Sequence, residues 1–181
     1  MARPPLARER VLDAYEQILV SEGERAATLE AVAKAAGVSK GGLLYHFAAK
    51  EDLSTGLLQR LDALVTEDVE LMKQAPEGPI AYYVRTSVME GDALDRAITA
   101  ASRLAQGGQA DAVVALREMR MLWETTLRPA VRDETALQLV MLLSDGLYYN
   151  NALDGTGDLS TPTPRDGALE KLIELVERTV T

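Results

Sequence analysis

The chain contains no cysteine, which excludes disulfides, thiolate catalysis and Cys-based zinc or iron–sulfur sites, and suits a cytoplasmic protein. Its single histidine, His46, leaves no means of building a His-based metal site or a Ser-His-Asp triad. Aromatic residues make up only 4% of the chain, and β-branched and aromatic strand signatures are sparse. No uninterrupted apolar run approaches the length of a membrane span. The opening residues, "MARPPLARERVLDAYEQ", are basic without an apolar stretch behind them, so no signal peptide is expected.

What is present is a helical vocabulary. Hydrophobic residues account for 47% of 181 residues, enough for a sizeable core, and Ala and Leu dominate among them. The net charge of −9 argues at first against a polyanionic partner, but it is unevenly distributed. Residues 1–50 hold seven Lys/Arg against six acids, and residues 51–181 hold twelve against 22. The acidity therefore belongs to the larger part, and two functions segregated along the chain are expected.

Gly and Pro punctuation divides the sequence into helices. The first is expected over Leu6–Glu22, with Val11, Leu12, Tyr15, Ile18 and Leu19 inward, stopped by Gly23. Thr28 caps a second helix over Leu29–Ala36, Gly37 turns the chain, and Ser39 caps a third helix ending near Phe47. A long fourth helix is expected from Lys50 or Glu51 to Gln74. Others follow at about Ile80–Met89, Ala93–Leu104, Ala110–Leu127, from an Asp133 cap to Leu153, and Arg165–Val180 after the polar loop "DGTGDLSTPTP". The result is nine helices and no sheet, with domains at 1–50 and 51–181.

The stretch "GVSKGGLLYHFAAKEDL", residues 37–53, sets two adjacent glycines in the first turn of a helix, where stability alone would not place them. With Leu43 and Phe47 turned inward, Gly41 and Tyr45 face away, flanked by Gly42, Leu44 and His46. Together with "LEAVAKAAG" this is a helix-turn-helix in outline. Glycines let a backbone approach a duplex closely. Lys40 and the helix start offer positive potential to phosphate, Leu44 offers apolar contact to a thymine methyl, and Tyr45 and His46 donate to phosphates. Each residue also has a milder reading: Thr28 and Ser39 as caps alone, Lys50 as a solvated charge, Leu44 as core.

The segment resembles the DNA-binding domain of TetR-family transcriptional repressors. "TLEAVAKAAGVSKG", the "YHF" end of the third helix and the "KEDL" start of the fourth carry the likeness over about residues 7–55. The resemblance implies DNA contacts at Thr28, Ser39, Lys40, Gly41, Gly42, Leu44, Tyr45, His46 and Lys50. Many members carry Tyr at the position of Leu44 and Thr at that of Gly42, so fewer direct base contacts are expected. It further implies an all-α, nine-helix fold in which a three-helix domain joins, through the fourth helix, a larger helical domain for effector binding and dimerisation.

Within that larger part, the last two long helices are too apolar for elements with one side in water. Leu139, Leu142, Leu143, Leu147, Leu169, Leu172, Ile173 and Val176 are candidates for a four-helix homodimer interface, with an intramolecular core as the alternative. Tyr82, Tyr83, Met89, Met119, Met121, Trp123, Tyr148, Tyr149 and Asn150 are candidates for an effector cavity, or for ordinary core. The expected partners are an operator in double-stranded DNA, a second copy and a small effector, with no membrane, metal or cofactor. An enzyme is not expected, because carboxylate pairs such as Asp133/Glu134 sit at helix breaks where caps belong. A helical adaptor whose helix-turn-helix docks a protein is the alternative.

Overall fold

The computed structural model describes residues 7–88, 91–154 and 163–181. Among these the chain is helical throughout: α1 Ala7–Glu22, α2 Leu29–Ala35, α3 Lys40–His46, α4 Lys50–Gln74, α5 Pro79–Thr86, α6 Ala93–Gln106, α7 Ala110–Leu127, α8 Glu134–Asp154 and α9 Asp166–Val180, with a single 3-10 turn at Arg128–Ala130. The all-α architecture expected from the sequence is thus the one observed, with boundaries shifted by only a few residues. None of the described helices is long and apolar enough to cross a membrane. The expected start at Leu6, the residue Met89 and most of the loop before α9 lie outside the described residues.

The helices form two compact units, one of residues 1–64 and 91–119, the other of residues 65–90 and 120–181, and α4 and α7 supply residues to both. In the first unit, Val11, Leu12, Tyr15 and Leu19 of α1 are essentially inaccessible to solvent. They meet Val32, Leu43, Phe47, Leu53 and Leu57 from α2, α3 and α4, and Ala100 and Leu104 from α6. Alanines at 97, 100 and 101 give α6 a small-residue face, which lets it lie close against α1. Gly56 has a comparable role in α4, because a Cβ there would stand 3.0 Å from the Phe47 ring and 3.1 Å from Leu12.

Polar links lock the same unit. The buried hydroxyls of Tyr15 and Ser54 are hydrogen-bonded at 2.9 Å, tying α1 to α4. Arg60 of α4 reaches Glu9 and Asp13 at 2.8 Å and Glu16 at 3.4 Å. Glu16, although buried, also receives Arg96 of α6 at 3.1 Å. One carboxylate on α1 therefore joins two helices that pack on it. At the start of α6, Asp92 accepts from the Asp95 amide and Asp95 accepts from the Gly91 amide, each at 2.9 Å, a reciprocal cap that satisfies two otherwise orphaned donors.

The second unit is built on Met72, Ile80, Tyr83, Val84, Leu127, Val140, Met141, Leu147, Leu169, Ile173 and Val176. Here α9 packs against α5 and α8. Asp133 caps α8 by accepting from the Ala136 amide at 2.8 Å, and the Arg132 amide donates to the Val180 carbonyl at 2.8 Å, fastening the end of α9. Arg85 on α5 grips Glu170 on α9 through two bonds of 3.2 and 3.0 Å.

Candidate functional site

The helix-turn-helix is assembled from local signals and a small core. Thr28 caps α2 by accepting from the Ala31 amide at 3.2 Å, and Ser39 caps α3 by accepting from the Gly42 amide at 3.0 Å. Gly37 takes φ +64 in the turn, a conformation costly for residues with a Cβ. Val32 and Leu43 are fully buried and Phe47 nearly so, while Val38 packs against them from the turn. Asp52 reaches back to the Ala49 amide at 3.0 Å and organises the start of α4.

That scaffold turns the other face of α3 to solvent. Tyr45 is 86% exposed and Leu44 37%; Lys40, Gly41 and His46 are also exposed, and Gly42 is half-buried. The Tyr45 and His46 rings meet edge to face, with centroids 5.1 Å apart. Behind them an open groove is lined by Arg8, Tyr45, His46, Asp52, Thr55 and Gln59, and Arg8 lies 5.3 Å above the centre of the Phe47 ring. The two glycines differ in what holds them. A Cβ at Gly41 would meet nothing within 4 Å, whereas one at Gly42 would press on the capping Ser39 hydroxyl at 3.2 Å. Gly42 therefore has a reason inside the fold, and Gly41 has none.

Both lysines carry acidic partners that the sequence reading did not anticipate. Lys40 is ion-paired with Glu30 in the first turn of α2, and the Glu30 carboxyl is held below its ordinary range by that hydrogen bond. Lys50 donates to the Glu24 carbonyl at 2.8 Å and lies 3.7 Å from the Glu24 carboxylate, so it is a cross-link and not a freely solvated charge. The signal in the sequence was the near-neutral balance of residues 1–50, which supplies almost as many acids as bases for such pairs.

In the second unit a polar centre forms around Asp68, which is buried at 8% exposure. Trp123 Nε1 donates to it at 2.8 Å and the Tyr82 hydroxyl at 3.0 Å. Tyr83 packs its ring 5.4 Å from that of Trp123. Burial, with the Asp145 charge adding to it, pushes the Tyr83 hydroxyl pKa well up and keeps it protonated. Arg120 pairs with Asp145 at 2.6 Å and Glu124 at 3.2 Å. Of the candidate cavity residues the structure thus gathers Tyr82, Tyr83 and Trp123. Tyr148 is half-buried and Tyr149, Asn150 and Met121 are exposed, Met119 belongs to the first unit, and Met89 lies outside the described residues. Asp68 was missed, although it falls on the stripe of Leu61, Val65, Val69 and Met72, where a charge is out of place.

Of the eight candidate interface residues, Leu147, Leu169, Ile173 and Val176 are buried within the chain's own second core. Leu143 and Leu172 are half-buried. Leu139 and Leu142 are exposed at 44% and 66%, as are Tyr149 at 66% and Leu175 of α9 at 52%. Among the described residues no group of three or more His, Asp or Glu side chains is placed to hold a metal ion.

Residues 11–55 match the model of the bacterial regulatory proteins of the tetR family. Over 51 residues the chain is 35% identical to the Pseudomonas putida protein named "Uncharacterized HTH-type transcriptional regulator TtgW", a match spanning 28% of this chain and 38% of that relative. Its fold is similar to that of the multidrug binding protein EbrR, solved with malachite green, at TM-score 0.70 and 22% identity over 98% of this chain and 99% of the other. It is likewise similar to a TetR-family member of Streptomyces coelicolor, at TM-score 0.68 and 21% identity over 98% and 99% of the two chains. Two of these relatives are named as a transcriptional regulator and a multidrug binding protein. Residues 11–55 thus match the helix-turn-helix region of the tetR-family regulatory proteins, and the chain has the all-helical fold of a solved TetR-family member.

Proposed function

We propose that this protein is a transcriptional repressor that binds a palindromic operator as a homodimer and is released by a small-molecule effector. The observation that carries the reading is the outward face of α3, where a bare Gly41, Leu44, Tyr45 and His46 stand exposed on a helix whose opposite face is fully buried. A helix that served only the core would not leave a tyrosine 86% exposed beside a glycine with open space above it. Gly41 permits close approach to base edges, Tyr45 and His46 donate to phosphates, and Lys40 and Lys50 bind phosphate by exchanging their carboxylate partners for it.

The homodimer uses the exposed stripe of α8 and α9. Leu139, Leu142, Gly146 and Tyr149 share one face of α8 at helical spacing, and nothing lies within 4 Å of a Cβ added at Gly146. A glycine amid exposed apolar residues suits the crossing point of two helices. Dimerisation places two α3 helices on one duplex, with half-sites one helical turn, about 34–36 Å, apart.

The effector is held by the second unit, where Trp123, Tyr82 and Tyr83 surround Asp68. The fold relative solved with malachite green supports a small-molecule ligand for this fold, and α4, which supplies residues to both units, is the element through which the two sites communicate. Linkage then requires that effector and operator weaken each other's binding by the same factor, typically about 5–150-fold.

Selection of bound sequences from a random duplex library, followed by gel shifts at several salt concentrations, tests the reading. A palindromic site with a steep salt dependence is expected. Binding to no duplex at any salt would leave the adaptor reading in its place. A compound that releases the operator yet quenches Trp123 with equal affinity in free and DNA-bound protein would exclude the linkage mechanism.

A further inference from the structure

The glycine pair between α6 and α7 has two unlike members. Gly108 takes φ +92 with open space around it, so its backbone requires glycine. Gly107 takes φ −71 and ψ −3, an ordinary helical conformation open to any residue. The space a side chain would take there is occupied by Glu24, whose Oε2 would stand 1.9 Å from an added Cβ, with the Leu104 carbonyl oxygen at 3.3 Å. The glycine is a seat for a carboxylate that arrives from the α1–α2 connection.

Glu24 is also the residue that holds Lys50. Its carbonyl accepts from Nζ at 2.8 Å and its Oε1 lies 3.7 Å from the same nitrogen. The two side chains are only 27% and 30% exposed, so solvent screens their interaction less than it would an open surface pair. All three residues belong to the first unit. The position of the seat is set by α6, whose Ala97, Ala100, Ala101 and Leu104 are inaccessible to solvent.

We propose that Gly107 seats the Glu24 carboxylate beside Lys50, and that this seat restrains Lys50 as a phosphate contact, so that the α6–α7 turn tunes DNA affinity. This rests on the DNA-binding reading above. With Glu24 seated, a phosphate competes with a carboxylate for the Lys50 ammonium. With the seat filled, Glu24 swings into solvent at little cost, being the free end of a flexible side chain, and Lys50 keeps its bond to the Glu24 carbonyl but loses the carboxylate that competes with phosphate for its charge. Glu24 and Gly107 are positioning residues, which act through Lys50 without touching DNA.

The test is a set of variants of the full chain, measured by gel shift against selected operator DNA over a range of salt. G107A and E24Q are each expected to raise affinity about two- to five-fold, the range of a modest ion pair, and to steepen the salt dependence by up to about one ion. The double variant G107A/E24Q should gain no more than the stronger single one, and K50A/G107A should gain nothing over K50A. Wild-type affinity and slope in G107A, or a gain that survives in the K50A background, would overturn the proposal. Urea unfolding of the same variants supplies a readout independent of DNA. Non-additive effects of G107A and E24Q sustain the seat, and additive ones overturn it. Wild-type protein that bound no duplex would instead sink the DNA-binding reading, with the unfolding cycle still deciding the seat.

Discussion

Replacing Arg60 by methionine keeps the aliphatic stem and removes the guanidinium that ties α4 to α1. Three carboxylates lose a partner, and they do not lose equally. Glu9 and Asp13 have side chains 44% and 58% exposed, so water replaces most of what Arg60 supplied, and each pair is worth only about 0.2–1 kcal/mol. The Glu16 side chain is 5% exposed, and a buried charge stranded without its partner costs about 3–5 kcal/mol. Glu16 retains Arg96 at 3.1 Å, which lowers the expected loss for R60M to about 2–3 kcal/mol. For a chain of this size that corresponds to a fall in Tm of roughly 4–12 °C. The assay is thermal and urea unfolding followed by far-UV circular dichroism at fixed protein concentration, since self-association of any kind makes Tm concentration-dependent. Trp123 fluorescence followed in parallel reports the second unit, and its transition should move less. E16Q removes the charge that R60M strands, so the double variant R60M/E16Q should recover part of the loss. A destabilisation below about 0.5 kcal/mol in R60M, the range of an ordinary surface substitution, would refute the reasoning, as would strict additivity with E16Q.

Acid should act on the same cluster. Hydrogen bonding to Arg60 is the largest effect on the Glu9 carboxyl and holds it below its ordinary range, so the stability it contributes is present above about pH 4.3, the usual glutamate value, and is lost as pH falls below it. R60M should show a shallower loss over that window, and an unchanged acid limb of the stability–pH curve would count against the assignment. On the α3 face, G41L should abolish operator binding while leaving Tm unchanged or raised, because its Cβ meets nothing and glycine in a helix costs about 1 kcal/mol. G42A should instead perturb the Ser39 cap, with a change in stability no larger than about 1 kcal/mol; normal operator binding by G41L would remove the close-approach explanation. L142K should sediment as a folded monomer and lose cooperative binding to the palindrome, and a wild-type sedimentation profile would place the interface elsewhere.

The local architecture was legible in the residues themselves. Helix ends at Thr28, Ser39 and Asp133 are written as side chains that accept backbone donors within three residues of themselves. Turns at Gly23 and Gly37 are written as glycines with positive φ. Inward faces such as Val11, Leu12, Tyr15, Ile18 and Leu19 repeat with the period of the helix. These determinants act over one or two turns, so a linear reading captures them, and with them the two faces of α3.

Partnership across the fold was not legible, because it depends on which helices meet. Glu24 and Gly107 are distant in sequence, and neither shows that a carboxylate will fill the space a side chain would need. Glu30 in the first turn of α2 suits the positive end of that helix by sequence alone, and only the packing of α2 beside α3 brings it to Lys40. Leu147, Leu169, Ile173 and Val176 have the same apolar character as Leu139 and Leu142 in sequence. Tertiary packing divides them, burying the first four in the chain's own core and leaving the other two on the surface. Hydrophobicity requires that such residues be covered but does not specify by what, since apolar burial is non-directional. Asp68 shows the same limit for polar groups: the sequence places a charge on an inward stripe, and the helices bearing Tyr82 and Trp123 supply the donors that make its burial tolerable.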